Sequence, residues 1–164
     1  MINLNVGRVA CRVCECLQTE SCRIVRVTGT PGTGFTHTLR EIHSYPSVTQ
    51  SSIFIENIFF DSEHGFLGWV SNALGLYEGV VAARRKVPPH LPEFIRLRGI
   101  RYLIFDNFHE AFYMQGISSA GMAKDINALL SACLDLQIIV GQEVDCNDFV
   151  FISLLEHSWC DFNT

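Results

Sequence analysis

The stretch RIVRVTGTPGTGFTHTLREI, residues 23–42, joins two local patterns through a run of glycines. Residues 24–28 form a short β-branched run, which predicts a buried strand. Residues 29–34 form a glycine-rich turn, and residues 35–43 have helical composition that ends before Tyr45-Pro46. The stretch therefore predicts a strand, a tight loop and a helix in direct succession.

The glycine-rich turn matches the phosphate-binding pattern G-x-x-x-x-G-K-[ST], in which main-chain amides and a helix N-terminus hold the phosphates. The eight matching positions are Gly29, Thr30, Pro31, Gly32, Thr33, Gly34, Phe35 and Thr36. We assign them to nucleotide binding, with ATP or ADP and Mg²⁺ as the expected cofactors and Thr36 as a metal ligand. An ordinary glycine turn is the alternative.

Phe35 replaces the lysine of that pattern. The loop therefore lacks the ammonium group that balances the charge of the β- and γ-phosphates. A charge-assisted hydrogen bond is worth roughly 1.5–3 kcal/mol, so its loss predicts about ten- to hundredfold weaker binding. Arg40 lies five residues further on and points away from the loop. The sequence leaves undecided whether the phenyl ring folds across the mouth of the loop.

A second part of the candidate site lies where the apolar run 102–105 ends in Asp106. A hydrophobic strand that closes on an aspartate is typical of a magnesium site. We therefore assign Asp106 as a metal ligand and a catalytic residue. Its alternative role is that of a helix N-cap after the strand.

The rest of the chain alternates between helical and strand patterns. The predicted helices are residues 5–18, 65–76, 92–98 and 123–134, and the further strands are residues 51–60, 100–106 and 136–143. Residues 117–121 are predicted as a loop, and residues 148–159 fit either a strand or a short helix. On the helix 65–76, the predicted inward face carries Phe66, Val70, Ala73 and Leu74.

This alternation predicts one α/β domain over residues 1–164, a three-layer fold with a parallel central sheet. We divide it into an N-terminal helix region (1–22), a nucleotide-binding core (23–143) and a C-terminal tail (144–164). The chain shows neither a signal-peptide pattern nor an apolar run of about 18 residues, so we expect a cytoplasmic protein without a membrane partner.

In a cytoplasmic protein, the seven cysteines are expected to be thiols. Cys11-x-x-Cys14 has the spacing of half a zinc knuckle, but Cys16 and Cys22 do not supply a regular second half. We favour an amphipathic helix with one face in the core. That face carries Val9, Val13, Cys16 and Leu17. The six histidines show no metal-ligand spacing and are interpreted as surface or packing groups.

Four segments resemble, in order and spacing, the AAA+ ATPases of transposition of the TniB/TnsC type, whose kin include MuB-like and origin-recognition ATPases. They are VTGTPGTGFTHTL (27–39), GFLGWVSNALGL (65–76), RYLIFDNFHEAF (101–112) and LQIIVGQE (136–143). The resemblance spans residues 22–143, and Phe108-His109 is its most telling pair. It implies a P-loop NTPase fold of the AAA+ type, with a Walker A loop at 29–36, a Walker B aspartate at Asp106 and a sensor position near Gly141-Gln142.

Two further departures from the family pattern bear on activity. The family has a water-orienting glutamate after the Walker B aspartate, and Asn107 stands there in this chain. An amide binds water but cannot accept its proton, so we assign Asn107 to the catalytic position and expect a pseudo-ATPase. No arginine follows Arg101, so we expect no arginine finger from the C-terminal part. Because only a short stretch follows Trp159, we also expect most or all of the family's helical lid to be lacking.

The resemblance also places DNA contacts between the two nucleotide motifs, where Arg84, Arg85 and Lys86 form a basic run. Six of the twelve basic residues lie between Arg84 and Arg101, although the net charge of −5 argues against a chain coated by nucleic acid. Such a run is otherwise a solvated helix end.

Three functional interpretations follow. The first is a degenerate AAA+-like module that binds nucleotide, hydrolyses ATP weakly or not at all, and docks onto a transposition protein, its own copies or duplex DNA. The second is an active ATPase, completed by a cation from a partner subunit and acting in DNA transposition. The third is a decayed gene fragment that keeps only its fold.

Overall fold

Five parallel strands form the central sheet in the computed structural model, which describes residues 4–19, 22–56, 65–76, 86–113, 118–144, 152–153 and 155–164. The strands are β1 (Ile24–Gly29), β2 (Ser52–Ile55), β3 (Tyr102–Phe105), β4 (Gln137–Glu143) and β5 (Trp159–Asn163). Their order is β2-β3-β4-β1-β5, and each neighbouring pair is parallel. The carboxyl ends of β1, β3 and β4 therefore meet at one edge of the sheet.

Helices cover both faces of this sheet. They are α1 (Leu4–Gln18), α2 (Phe35–Ser44), α3 (Gly65–Ala73), α4 (His90–Leu97), α5 (Glu110–Tyr113) and α6 (Ser119–Ala132), with a 3₁₀ turn at Thr49–Ser51. One core cluster packs α1 and α2 against the sheet, and a second packs α3, α4 and α6 against its other face. The predicted three-layer α/β fold with a parallel sheet is confirmed.

The middle strands are buried on both faces, which explains their continuous apolar sequences. Leu103 and Phe105 of β3 belong to the cluster with α3 and α6, whereas Ile104 faces α1 and α2. The same alternation divides Ile138 from Ile139 on β4. Each strand thus contributes side chains to both cores, as its period of two requires.

The structure corrects several predicted boundaries. Residues 119–121 begin α6 instead of lying in a loop, because the Ser118 hydroxyl caps the helix by accepting a 3.0 Å hydrogen bond from the Gly121 amide. Pro92 is the third residue of α4 and does not open it. Ala73 is exposed, and Trp69 takes its place in the core. Within the predicted strand 51–60, β2 ends at Ile55, and residues 57–60 lie outside the described part.

Three of the four N-terminal cysteines, Cys11, Cys14 and Cys16, lie on the predicted amphipathic helix. Val9, Val13 and Leu17 of α1 are buried, and Cys16 is half-buried. The expectation of seven thiols is wrong, because Cys22 and Cys160 form a disulfide between β5 and the residue two before β1. Within the described residues, no helix is long and apolar enough to cross a membrane.

Arg23 joins the start of β1 to the end of α6. Its guanidinium donates hydrogen bonds to the carbonyls of Leu130 (3.1 Å), Cys133 (2.7 Å) and Leu136 (2.8 Å). Carbonyls at a helix C-terminus have no partner within the helix, and a cation there also interacts favourably with the helix dipole. One side chain therefore ties the C-terminal end of α6 to the start of β1.

We predict that Arg23→Met lowers the free energy of unfolding by about 2–3 kcal/mol, because hydrogen bonds from a charged donor are lost and carbonyls are left without partners. Arg8→Met is the matched control, since Arg8 is exposed on α1. Chemical denaturation followed by circular dichroism measures both variants. Equal stability of the two would contradict the role of Arg23 at the end of α6.

Candidate nucleotide-binding site

The loop between β1 and α2 has the backbone that a phosphate cradle requires. Gly32 and Gly34 have φ angles of 85° and 94°, a left-handed conformation that favours glycine. The Thr33 amide and hydroxyl both donate to the Thr30 carbonyl, at 3.0 and 2.8 Å. A Cβ on Gly29 would meet the hydroxyl groups of Thr33 and Thr164, so a larger residue there would have to displace both side chains. The loop is therefore closely packed, and two of its glycines have a backbone conformation that other residues adopt only with strain.

The first turn of α2 faces this loop with main-chain donors. Gly34 is the N-cap residue and has no side chain that could accept from the helix amides. Helix N-termini with uncapped amides attract anions through these donors and through the helix dipole. The start of α2 can therefore hold a phosphate group without a lysine, although more weakly than with one.

The two predicted metal ligands lie side by side. The Thr36 hydroxyl donates a 3.0 Å hydrogen bond to Oδ1 of Asp106, which also accepts from the Asn107 amide at 2.9 Å. Asp106 follows β3 directly and is 6% exposed. Burial raises the pKa of its carboxyl, and the hydrogen bonds from Thr36 and Asn107 partly oppose that rise. A hydroxyl and a carboxylate in this arrangement are ligands that Mg²⁺ prefers.

The Phe35 ring packs against the sheet and is only 7% exposed. It meets the His109 ring edge to face, with 6.3 Å between the ring centroids. A Cβ on Gly141 would lie 3.2 Å from Phe35 Cδ2 and 2.4 Å from Leu39 Cδ1, so the glycine in β4 makes room for both side chains. The ring has thus become part of the core between α2 and the sheet.

Asn107 adopts a left-handed backbone conformation, with φ of 52°. Asparagine tolerates this region better than most residues, whereas a side chain such as glutamate pays roughly 1–2 kcal/mol for it. The departure from the family pattern at position 107 therefore agrees with the local backbone. The Arg40 side chain forms an ion pair, since its guanidinium lies 2.8 Å from the Glu56 carboxylate.

Sequence reasoning missed the pair His109 and Glu143 beside this site. His109 is 8% exposed, and its Nε2 lies 3.7 Å from Oε1 of Glu143. Its Nδ1 is buried without a hydrogen-bond partner among the described residues. Glu143 ends β4 opposite Gly29, a pairing that no local pattern predicts. Gln142 is buried at the same strand end, opposite Thr28 of β1.

Of the candidate DNA-binding run, the structure describes only Lys86. Arg84 and Arg85 lie outside the described residues. Lys86 is exposed, and the structure does not place it in the nucleotide site.

The residues present fit a nucleotide with magnesium. The loop supplies glycines that a Cβ would crowd or strain and helix amides without a side-chain cap, and Thr36 and Asp106 supply adjacent oxygen ligands. Bound Mg²⁺ would supply positive charge that offsets the negative charge of the phosphates. The loop and α2 would position the phosphates, while Asp106 would hold the metal.

Comparison with solved structures identifies the fold. The structure of C. elegans PCH-2 matches with a TM-score of 0.53 and 14% identity, covering 96% of this chain and 40% of PCH-2. The structure of Drosophila ORC bound to DNA also matches with a TM-score of 0.53, at 13% identity over 100% of this chain and 94% of that chain. Both neighbours are P-loop AAA+ proteins. This chain has an AAA+-like P-loop fold.

The AAA+-like chain spans less than half the length of PCH-2. No protein-family model matches its sequence, and no curated protein matches it either. At 13–14% identity, these structural matches establish the fold. The activity has to be argued from the residues of the site.

We predict that Asp106→Asn raises the free energy of unfolding at pH 7. Because folding raises the pKa of this carboxyl, its contribution to stability is fully present below its ordinary pKa of about 4 and is lost as pH rises through the folded value. Asparagine keeps an acceptor for Thr36 and carries no charge. The difference in the free energy of unfolding between Asp106→Asn and the native chain should therefore fall to zero as pH falls towards 4. Denaturation curves measured from pH 4 to 8 provide this difference.

Asp135→Asn serves as the control for this substitution, because Asp135 is exposed. It should change stability little across the same pH range. A loss of stability for Asp106→Asn at pH 7 would show that burial does not dominate at this carboxylate.

Proposed function

We propose that this chain is an AAA+-like nucleotide-binding module that holds ATP or ADP with Mg²⁺ and hydrolyses ATP weakly or not at all. The observation that carries the proposal is the 3.0 Å hydrogen bond between Thr36 and Asp106, which joins the phosphate loop to the end of β3. It brings together the two oxygen ligands that a magnesium nucleotide needs, while the loop keeps its glycine backbone.

Binding without the lysine depends on the main chain. Successive amides in a loop of this shape form a concave nest for anions, and the α2 N-terminus adds its dipole. The missing ammonium removes one charge-assisted interaction, worth roughly 1.5–3 kcal/mol. We therefore expect affinity about ten- to hundredfold below that of a loop with lysine.

Weak hydrolysis follows from the same residues. Phe35 is buried against His109 and Gly141 and has no group that could stabilise charge on a transferring phosphoryl. The Asn107 amide can orient a water but cannot take its proton. Phe35 and Asn107 thus lack, respectively, the ammonium group and the carboxylate that the reaction uses.

The biological role that we propose rests on the motif resemblance to transposition ATPases. The module would dock onto a transposition protein or its own copies in the cytoplasm, and onto duplex DNA through Arg84, Arg85 and Lys86. In the alternative role, a partner subunit supplies the missing cation and the same site becomes an active ATPase. The intact pair of Thr36 and Asp106 supports that alternative as well.

Substituting alanine at Gly32 tests the nucleotide site. Gly32 has φ of 85° and open space around its Cα, so alanine strains the loop backbone without a clash. Gly75, after α3, has φ of 74° and equally open surroundings, which makes Gly75→Ala a matched control for strain alone. We predict that both variants lose a similar stability of about 1 kcal/mol, and that only Gly32→Ala weakens binding of a fluorescent ADP analogue, at least tenfold.

Equal affinity of Gly32→Ala and Gly75→Ala would refute the assignment of the loop. ATP turnover by the purified chain separates the two roles. Hydrolysis that is abolished by Asp106→Ala would overturn the proposal of an impaired enzyme. Hydrolysis that depends on protein concentration or on an added partner would favour the completed ATPase.

Retention on duplex DNA tests the basic run separately. Replacing Arg84, Arg85 and Lys86 by alanine should remove up to three phosphate contacts, weaken binding at about 50 mM salt and flatten its salt dependence. A control with the same charge change replaces Arg96, Arg98 and Lys124, which are exposed elsewhere. Identical binding by both triple variants, or no binding by the native chain at that salt concentration, would exclude this role.

A further inference from the structure

Three cysteine sulfurs meet at the end of the sheet opposite the nucleotide site. Cys16 lies near the end of α1, Cys22 lies two residues before β1, and Cys160 is on β5. Their sulfur atoms all lie within 4.8 Å of one another, and the sequence separates Cys22 from Cys160 by 138 residues. Cys22 and Cys160 are joined as a disulfide, and the Cys16 sulfur lies 3.3 Å from that of Cys22. A thiol is thus in contact with a disulfide.

The disulfide fastens the edge strand of the sheet. β5 pairs with β1 alone, and its exposed face carries Trp159 and Asp161, while Cys160 and Phe162 face α1. Besides main-chain bonds, β5 is held by the ion pair of Asp161 with Arg26, at 2.8 Å, and by cation–π contacts of Arg26 with Trp159 and of Arg12 with Phe162. Edge strands have pairing on one side only and are the elements of a sheet that open most readily. The Cys22–Cys160 bond adds a covalent tie near the start of this edge strand.

We propose that Cys16, Cys22 and Cys160 form a thiol–disulfide exchange site that controls the attachment of β5. The Cys16 thiolate attacks the Cys22 sulfur, the bond from Cys22 to Cys160 breaks, and Cys160 leaves as a thiolate that takes up the proton lost by Cys16. One disulfide is exchanged for another, so the step needs no oxidant or reductant. The product links Cys16 to Cys22 within the N-terminal region and leaves β5 without its covalent tie.

Cys16 is the nucleophile for reasons of position and access. It is half-buried, so a thiolate there keeps contact with water. Cys14, two residues earlier on α1, is buried, and burial with the nearby Cys11 raises the pKa of its thiol to about 11. Cys133 is also buried and packs in the core on the other face of the sheet. Of the described cysteine thiols, Cys16 is the one that forms a close group with the disulfide sulfurs.

The far end of β5 connects this site to the phosphate loop. The Thr164 amide donates to the Thr28 carbonyl at 2.9 Å, and the Thr164 hydroxyl lies 3.0 Å from that of Thr33. Thr28 also contacts the Asn163 side chain through its hydroxyl. Release of β5 would remove these contacts from one side of the loop. The exchange itself does not depend on nucleotide binding, so either proposal can fail alone.

Mapping the disulfides of the full chain tests the exchange. The protein is equilibrated in glutathione buffers of several ratios, acid-quenched, alkylated and digested at glutamates. Cleavage after Glu15, Glu20 and Glu156 places Cys16, Cys22 and Cys160 in separate peptides. We expect both the Cys22–Cys160 and the Cys16–Cys22 linked peptides. Their ratio should not change with the glutathione ratio, because both isomers hold the same number of electrons.

Three variants complete the test. Cys16→Ser should show only the Cys22–Cys160 link, and Cys160→Ser only the Cys16–Cys22 link. Cys11→Ser, on the same helix but outside the cluster, should keep both links in the native ratio. Hydrogen exchange at the β5 amides, residues 159–163, should be at least tenfold faster in Cys160→Ser than in Cys16→Ser.

Two results would overturn the proposal. The first is a native chain in which Cys16 is always alkylated while Cys22 and Cys160 stay linked. The second is a metal ion retained on three reduced sulfurs in native mass spectrometry, since three thiolates can also hold a soft cation. Equal hydrogen exchange in the two variants would contradict the control of β5 by the disulfide.

Discussion

Strand β1 is hydrogen-bonded on both sides, to β4 and to β5, and the parts of the candidate site take their positions from this pairing. Because all three strands run in the same direction, the loop after Gly29, the end of β4 at Glu143 and the end of β5 at Asn163 come together at one edge. β3 pairs with β4 and brings Asp106 to the same edge. The meeting of Thr36 with Asp106 is therefore a consequence of strand order, which places side chains 70 residues apart in contact.

The departures from the phosphate-loop pattern are consistent with their surroundings. Phe35 fits between Gly141 and His109, and Asn107 takes a left-handed backbone that suits an amide side chain. Placing lysine at position 35 would remove a buried ring. For comparison, truncating a buried phenylalanine to alanine typically lowers stability by about 3–5 kcal/mol. The packing around position 35 and the backbone at position 107 thus suit the residues that are present. This agreement between local and global structure is what a stable fold requires.

Much of this fold could be read from local patterns. Strand β1, the loop and α2 are predictable because β-branched, glycine and helical segments follow one another without interruption. The strand that ends at Asp106 is predictable because its sequence is a continuous apolar run. Other features depend on distant partners. β5 pairs with β1 across more than 130 residues, and the disulfide of Cys22 with Cys160 spans 138. The start of α6 was missed because Ser118 to Gly121 are small residues that suit a loop equally well, until Ser118 is seen to cap the helix.

Among the site residues, Asp106 gives the most direct argument about metal binding. A carboxylate that is 6% exposed loses hydration, and the rise in its pKa shows that two hydrogen bonds do not fully compensate for that loss. An asparagine would fill the same space and accept the same hydrogen bond from Thr36 without the charge. Stability alone therefore gives no reason for the acid, whereas a metal beside Thr36 does. A higher stability of Asp106→Asn would therefore support the proposed metal role of Asp106 over a decayed fragment.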